Sequence, residues 1–566
     1  MTASGFFFAL FFQKRNPRSS SLGIGFASLA LLLAVALALA PSVSADTYPR
    51  QAGVDALHYV FRLALLTDDS PEIRGEATVT LKFITPGVRE AWLDLATSTA
   101  AGKGMTVTAV NRGGRATPFT HQNNRLTLTL AEPPKAGEEV SFDVQYHGAP
   151  ANGLRLINNI HGERTAFSEN WSNQARQWLP MIDHPYDKAT GEFIVTTSSN
   201  YQVVANGALV EERDLPNGLR RTHWRQSIPI ASWLYALGVA RFAVKYAGMS
   251  HGIPLEYWVF PQDAENAYAL FDRDARASFE FFNERVGPYA YEKLAHVQAA
   301  GMGGGTEHAS NIFYGEKGIA AGNGPVVHET AHQWFGDAIT EKDWDDVWLS
   351  EGFATYFTLL FTEYSRGRDA FVDGLRASRR TVLRIEQQSP NTPVVHRNLD
   401  EKTQAVLNQF VYQKGGWTLH MLRGLIGTET FWTGIRNYYR RYMNANASTD
   451  DFRQVMEQAS GQDLRWFFTQ WLNRSGVPKV EGSWHYNAER KQIEVMLSQT
   501  QTGDPFRLPI EIEIETPPNV PPRDNEKVTL TDRTATFTFP SDVAPVNLTI
   551  DPDTWLLAEF GSFVEK

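Results

Sequence analysis

Two histidines stand four residues apart in V-V-H-E-T-A-H-Q-W, at His328 and His332, with Glu329 beside the first. On a helix this spacing puts both imidazoles on one face, one turn above the other. Two nitrogens presented in this way suit zinc, which prefers tetrahedral nitrogen and oxygen ligands. Pro325 suits a first helical turn, and Asn323 or Gly324 is placed to cap it. A third ligand candidate, Glu351, follows in W-L-S-E-G-F-A-T-Y, nineteen residues after His332. Two histidines and one carboxylate leave a fourth position for water, the layout of a catalytic site with one Zn2+ per chain. The plainer readings are an ordinary helix that carries two histidines and a solvated glutamate near a helix start.

This chemistry needs a helix for the histidines and a second helix able to lie across it. From about Tyr48 to Glu256 the pattern has period two, as in Tyr59, Phe61, Leu63, Leu65 and then Ala77, Val79, Leu81, Phe83. Such alternation means half-buried antiparallel strands. From Asp263 the period becomes helical, with Ala267, Leu270, Phe271, Ala275, Phe279 and Phe282 on one face, and Gly287-Pro288 ends the run. Strand alternation returns after Pro478, clearest in Leu508, Ile510, Ile512 and Ile514. The expected fold class is multidomain α+β. The expected divisions are a leader at 1–45, a β domain at 46–256, a mainly helical zinc domain at 257–475 and a β-sandwich at 476–566.

Lys14, Arg15 and Arg18 precede the uncharged run Leu22 to Ala40, and small residues lead to Ala45. This is the layout of a secretory signal peptide cleaved after Ala45, placing the protein outside the cell or in a bacterial periplasm. The alternative is an uncleaved membrane anchor. The net charge of −10 argues against a nucleic-acid partner, which requires a basic face. With no cysteine in the chain, disulfides, thiolate metal sites and cysteine nucleophiles are excluded. Composition leaves the oligomeric state open.

His328-Glu329-x-x-His332 with Glu351 at this spacing, followed by G-F-A-T-Y, resembles the M1 family of zinc aminopeptidases, the aminopeptidase N-like gluzincins. The segments V-G-P-Y-A-Y-E-K-L from Val286, R-Q-W-L-P-M-I-D-H-P from Arg176 and F-V-Y-Q-K-G-G from Phe410 carry the resemblance further. It implies a saddle-like β domain, a thermolysin-like catalytic domain and peptide substrates. It also implies Glu329 as general base, Tyr412 as the donor to the oxyanion, and Glu307 as the carboxylate that binds the substrate's α-ammonium. Gly304 and Gly305, just before Glu307, would let substrate backbone approach.

The chain departs from the family at several of these positions. Thr306 stands for the family's methionine and His308 for its asparagine. Trp171 falls where the family usually places a second acidic or amide residue, with Glu169 and Gln174 near enough in sequence to substitute. The residues after the catalytic region read as a short β domain, where most members continue into a large helical one, so the resemblance is to a divergent short member. Two other readings stay open: a thermolysin-like endopeptidase with the same zinc chemistry, and an inactive interaction scaffold. The scaffold reading sits poorly with an intact set of His328, His332, Glu351 and Glu329.

Overall fold

The computed structural model describes residues 46–66, 70–396, 399 and 408–566. The leader expected at 1–45, with its cleavage after Ala45, lies outside the described residues. Alternating apolar and polar residues make strands of Val54–Ala64 and Ile73–Phe83, each with one buried face. Tyr59, Phe61, Leu63, Ala77, Val79 and Leu81 are all at most 3% exposed. Their antiparallel register sets Phe61 opposite Ala77 and Tyr59 opposite Val79. These strands belong to an eight-stranded sheet, antiparallel except where Val54–Ala64 runs parallel to Lys188–Ser198.

A five-stranded sheet follows, with Ala243–Ser250, Ile253–Val259, Leu294–Ala299, Asn311–Gly315 and Gly305–Thr306 in that spatial order. Ile253–Val259 pairs in parallel with Leu294–Ala299, so the boundary expected at 256 falls inside a strand. The reason is physical: a strand's own pattern does not record which sheet it joins. The apolar face read from Asp263 onward is buried as expected in helix Ala264–Arg285, with Phe271, Phe279 and Phe282 at 0% exposure.

Beyond that helix come Val326–His332, Trp348–Arg366, Arg368–Gln388 and Gln409–Ile426, the four helices that build the candidate site. Residues from Lys479 to Glu565 form a four-stranded and a three-stranded sheet, and Leu508, Ile510, Ile512 and Ile514 are the buried face of the second sheet's central strand. Among the described residues no helix is long and apolar enough to cross a membrane.

Candidate metal centre

His328 and His332 leave the same face of helix Val326–His332, with ring centroids 4.7 Å apart. Pro325 is itself the N-cap residue, and no side chain makes the capping contact expected of Asn323. The two Nε2 atoms lie 3.1 Å apart. Glu351, on helix Trp348–Arg366, brings Oε2 to 3.4 Å from His328 Nε2 and 3.3 Å from His332 Nε2. Zinc–ligand distances of about 2.0–2.1 Å imply a tetrahedron with edges of roughly 3.3–3.4 Å, so three corners are present.

Glu351 Oε2 is buried without a hydrogen-bond partner, a state costly for a carboxylate oxygen unless a cation completes it. Burial opposes ionisation of Glu351, but His328 and His332 outweigh it and draw the carboxyl down to about 2. His332 is held from behind, with Nδ1 2.9 Å from Ser350 Oγ and 3.1 Å from Phe335 O. A histidine fixed through one nitrogen presents the other in a set plane and tautomer. Donor types, spacing and the orphaned oxygen all fit zinc.

Glu329 is 4% exposed and lies against the strand Gly305–Thr306. A Cβ at position 305 would fall 2.5 Å from Glu329 Oε1, so glycine is what allows that close approach. Gly304 has φ +70°, in the left-handed region, and turns the chain into the strand. Burial first, and Glu307 next, raise the Glu329 carboxyl well above its usual range.

Gly305–Thr306 is the edge strand of its sheet and leads directly to Glu307. Glu307, Glu329 and His332 present donor atoms within 4.8 Å of one another. Burial pushes the Glu307 carboxyl up to about 7. Glu169 joins this group from the N-terminal β region. Thr306 Oγ1 donates to Glu169 Oε2 at 3.1 Å, and Trp171 N donates to Oε1 at 3.3 Å. The Trp171 ring packs edge-on against Trp233 and Trp344, with centroids 4.7 and 4.8 Å away. The position counted from Arg176 is therefore a packing residue, and the carboxylate two residues earlier lies beside the site. His308 is fully buried against Phe313, and burial drives its imidazole down to about 3, so it brings no charge to the site.

The motifs did not single out Gln333, which follows His332. Its side-chain amide is buried, with Nε2 3.1 Å from Glu307 O, 3.2 Å from His308 O and 2.7 Å from Asp337 Oδ2. Its Oε1 accepts from Ser310 N at 2.8 Å and from the Tyr289 hydroxyl at 3.1 Å. A glutamine carries no charge or period, and its place directly after a ligand histidine is the signal the sequence offers.

Tyr412, on helix Gln409–Ile426, stacks near-parallel to His328 with ring centroids 6.3 Å apart. Two glycines set this approach, where the Tyr412 and Glu351 helices cross. A Cβ at Gly352 would fall 2.9 Å from the Gly415 carbonyl carbon, and one at Gly415 would fall 3.1 Å from Gly352 Cα. Burial raises the Tyr412 phenol above its ordinary range and the Glu351 carboxylate adds to this, so it remains a protonated donor. A cleft of ≈ 390 Å³ opens beside His328 and Tyr412, walled by helices Trp348–Arg366 and Arg368–Gln388.

The fold has counterparts among known proteins. Residues 276–471 match the peptidase family M1 domain, and residues 56–234 match the peptidase M1 N-terminal domain. Glutamyl aminopeptidase of Bitis rhinoceros is 28% identical over 333 residues, covering 56% of this chain and 35% of that protein. Tricorn protease-interacting factor F2 of Thermoplasma acidophilum is 28% identical over 358 residues, covering 60% and 45%. The chain thus matches less than half the length of either curated relative.

Among solved structures, aminopeptidase A of Legionella pneumophila superposes with a TM-score of 0.76 at 17% identity, covering 91% of this chain and 60% of that one. An M1 zinc metallopeptidase from Deinococcus radiodurans gives 0.61 at 23%, covering 76% and 95%. At these identities the likeness is one of fold. The N-terminal match contains Glu169, and the catalytic match contains Glu307, both histidines, Glu329, Glu351 and Tyr412. With both halves of its site inside matched segments, the chain belongs to peptidase family M1.

Proposed function

We propose that the chain is an exported zinc aminopeptidase that hydrolyses the N-terminal peptide bond of peptides, with His328, His332 and Glu351 holding one Zn2+. The observation that carries this reading is the carboxylate pole, Glu307 and Glu169, set directly beside the histidine–glutamate cluster. Bound zinc supplies Lewis acidity, polarising the scissile carbonyl and lowering the pKa of a water.

The substrate's ammonium rests against Glu307 and Glu169, whose charges offset its desolvation. With the amine fixed there, the first peptide bond is the one brought to Glu329. The free edge of Gly305–Thr306 pairs with substrate backbone, and Gly304 and Gly305 leave room for it. Glu329 takes a proton from the attacking water and delivers it to the leaving nitrogen. The Tyr412 hydroxyl donates to the carbonyl oxygen as that atom gains negative charge. The leaving chain exits through the cleft beside His328.

The division into β, catalytic and C-terminal domains, with the last two sheets as a β-sandwich, is part of the same reading. A secreted or periplasmic location rests on the leader. The test is hydrolysis of aminoacyl amides beside their N-acetylated counterparts. The free amines should be cleaved and the blocked compounds left intact, whereas equal cleavage of both would favour an endopeptidase.

A further inference from the structure

We infer that Gln333 is a positioning residue, which fixes the distance between the ammonium pole and the hydrolytic centre. This rests on the aminopeptidase reading and extends it to a group that touches neither substrate nor metal. Gln333 follows His332 at the end of the histidine helix, so its backbone is tied to a zinc ligand. Its amide nitrogen holds the carbonyls of Glu307 and His308 at 3.1 and 3.2 Å, and its oxygen holds Ser310 N at 2.8 Å.

One side chain thus reaches the segment carrying Glu307 at three backbone atoms, its two N–H hydrogens being shared among the Glu307 and His308 carbonyls and Asp337. The far end of that segment is anchored separately, with Asn206 Nδ2 2.6 Å from Ala309 O and Gly207 N 2.8 Å from Ser310 Oγ, whereas the strand before Glu307 is two residues long and Gln333 is what ties the Glu307 carbonyl to the histidine helix. Tyr289 and Asp337 complete the amide's bonding at 3.1 and 2.7 Å, so the Gln333 amide cannot rotate without leaving buried groups unpaired. A shift of about 1 Å between bound group and reacting bond costs as much as ~10²-fold in rate, so a rigid tie here sets both binding and turnover.

Only a residue that can donate to Glu307 O and His308 O serves. Gln333→Glu keeps the shape but loses the donor and sets a carboxylate against Asp337. Adding Asp337→Asn returns a donor to the Asp337 side and removes that repulsion, yet leaves the Glu307 carbonyl ungripped and His308 O with the Asn311 amide alone.

The experiment measures Kd by calorimetry on the zinc-loaded protein for an aminoacyl hydroxamate and for its des-amino counterpart. The gap between the two reads the ammonium pole separately from the metal, without turnover. In the wild type the amine compound should bind more tightly. In the Gln333→Glu, Asp337→Asn double variant the gap should shrink about tenfold or more, although thermal stability and zinc content recover toward wild type. A double variant that regains the full gap would overturn the proposal, since repair of the fold alone would then suffice. A single Gln333→Glu variant that folds and keeps the gap would overturn it as well. A wild type with no gap would instead remove the ammonium pole itself, and this inference with it.

Discussion

Gln in place of Glu329 should leave one zinc per chain and cut kcat about 10²–10⁴-fold, the usual contribution of a positioned general base. The amide has the shape of the carboxylate, and the space against Gly305 that admits Glu329 admits it equally. It has no basic oxygen to take a proton from the attacking water, so the loss falls on the chemical step. KM for an aminoacyl amide should move little, because Glu329 is assigned no hold on the ground-state substrate. Metal analysis beside steady-state kinetics checks both halves. Loss of zinc in this variant would mean that Glu329 is a ligand and that the spacing of His328, His332 and Glu351 has been misread.

Glu307→Gln should lower kcat/KM for free-amine substrates about 10²–10³-fold, with no comparable effect on any residual cleavage of N-acetylated peptides. Glu307 is 6% exposed, so an ammonium brought to it has exchanged most of its water for carboxylates. Truncating one partner of such a buried charge pair costs about 2–5 kcal/mol, roughly 30- to 5,000-fold, and the range stated is the middle of that span. Glu169 remains in the variant, held by Thr306, and limits the loss. An endopeptidase built on the same metal site has no need of Glu307, so for it the two substrate classes would respond alike. The kinetics of the two classes, measured on one variant, decide between these readings.

The parts of this site that were legible in the sequence are those whose chemistry imposes a spacing. His328 and His332 announce themselves because a helix face repeats every three to four residues. Glu351 followed because an open zinc site needs a third ligand. The parts that were hidden depend on what another segment brings across in space. Gly305 read as a glycine for substrate approach, and its Cβ position is also filled by Glu329. Counting back from Arg176 gave Trp171, whereas Thr306, more than a hundred residues further along the chain, holds Glu169; chain position cannot record that pairing.

The fold divides in the same way. Alternation in Val54–Ala64 and the helical face of Ala264–Arg285 were set by local periodicity and are realised in the structure. The boundary at 256 was not, because Ile253–Val259 takes its sheet partner from Leu294–Ala299, across an intervening helix. Gln333 left only its place after His332 as a mark in the sequence, for a related reason. Its importance lies in five neighbours drawn from three segments, and its residue type is unremarkable.

The central claim is that His328, His332 and Glu351 hold one zinc on which an aminopeptidase activity depends. The most direct measurement strips the purified protein with a chelator, titrates zinc back and follows hydrolysis of an aminoacyl amide at each step. Activity should fall with removal of the metal, rise in proportion to zinc added and level off at about one zinc per chain, the stoichiometry of a single three-ligand catalytic site. Full activity in the stripped protein, or a zinc-loaded, folded protein that cleaves no free-amine substrate, would contradict it.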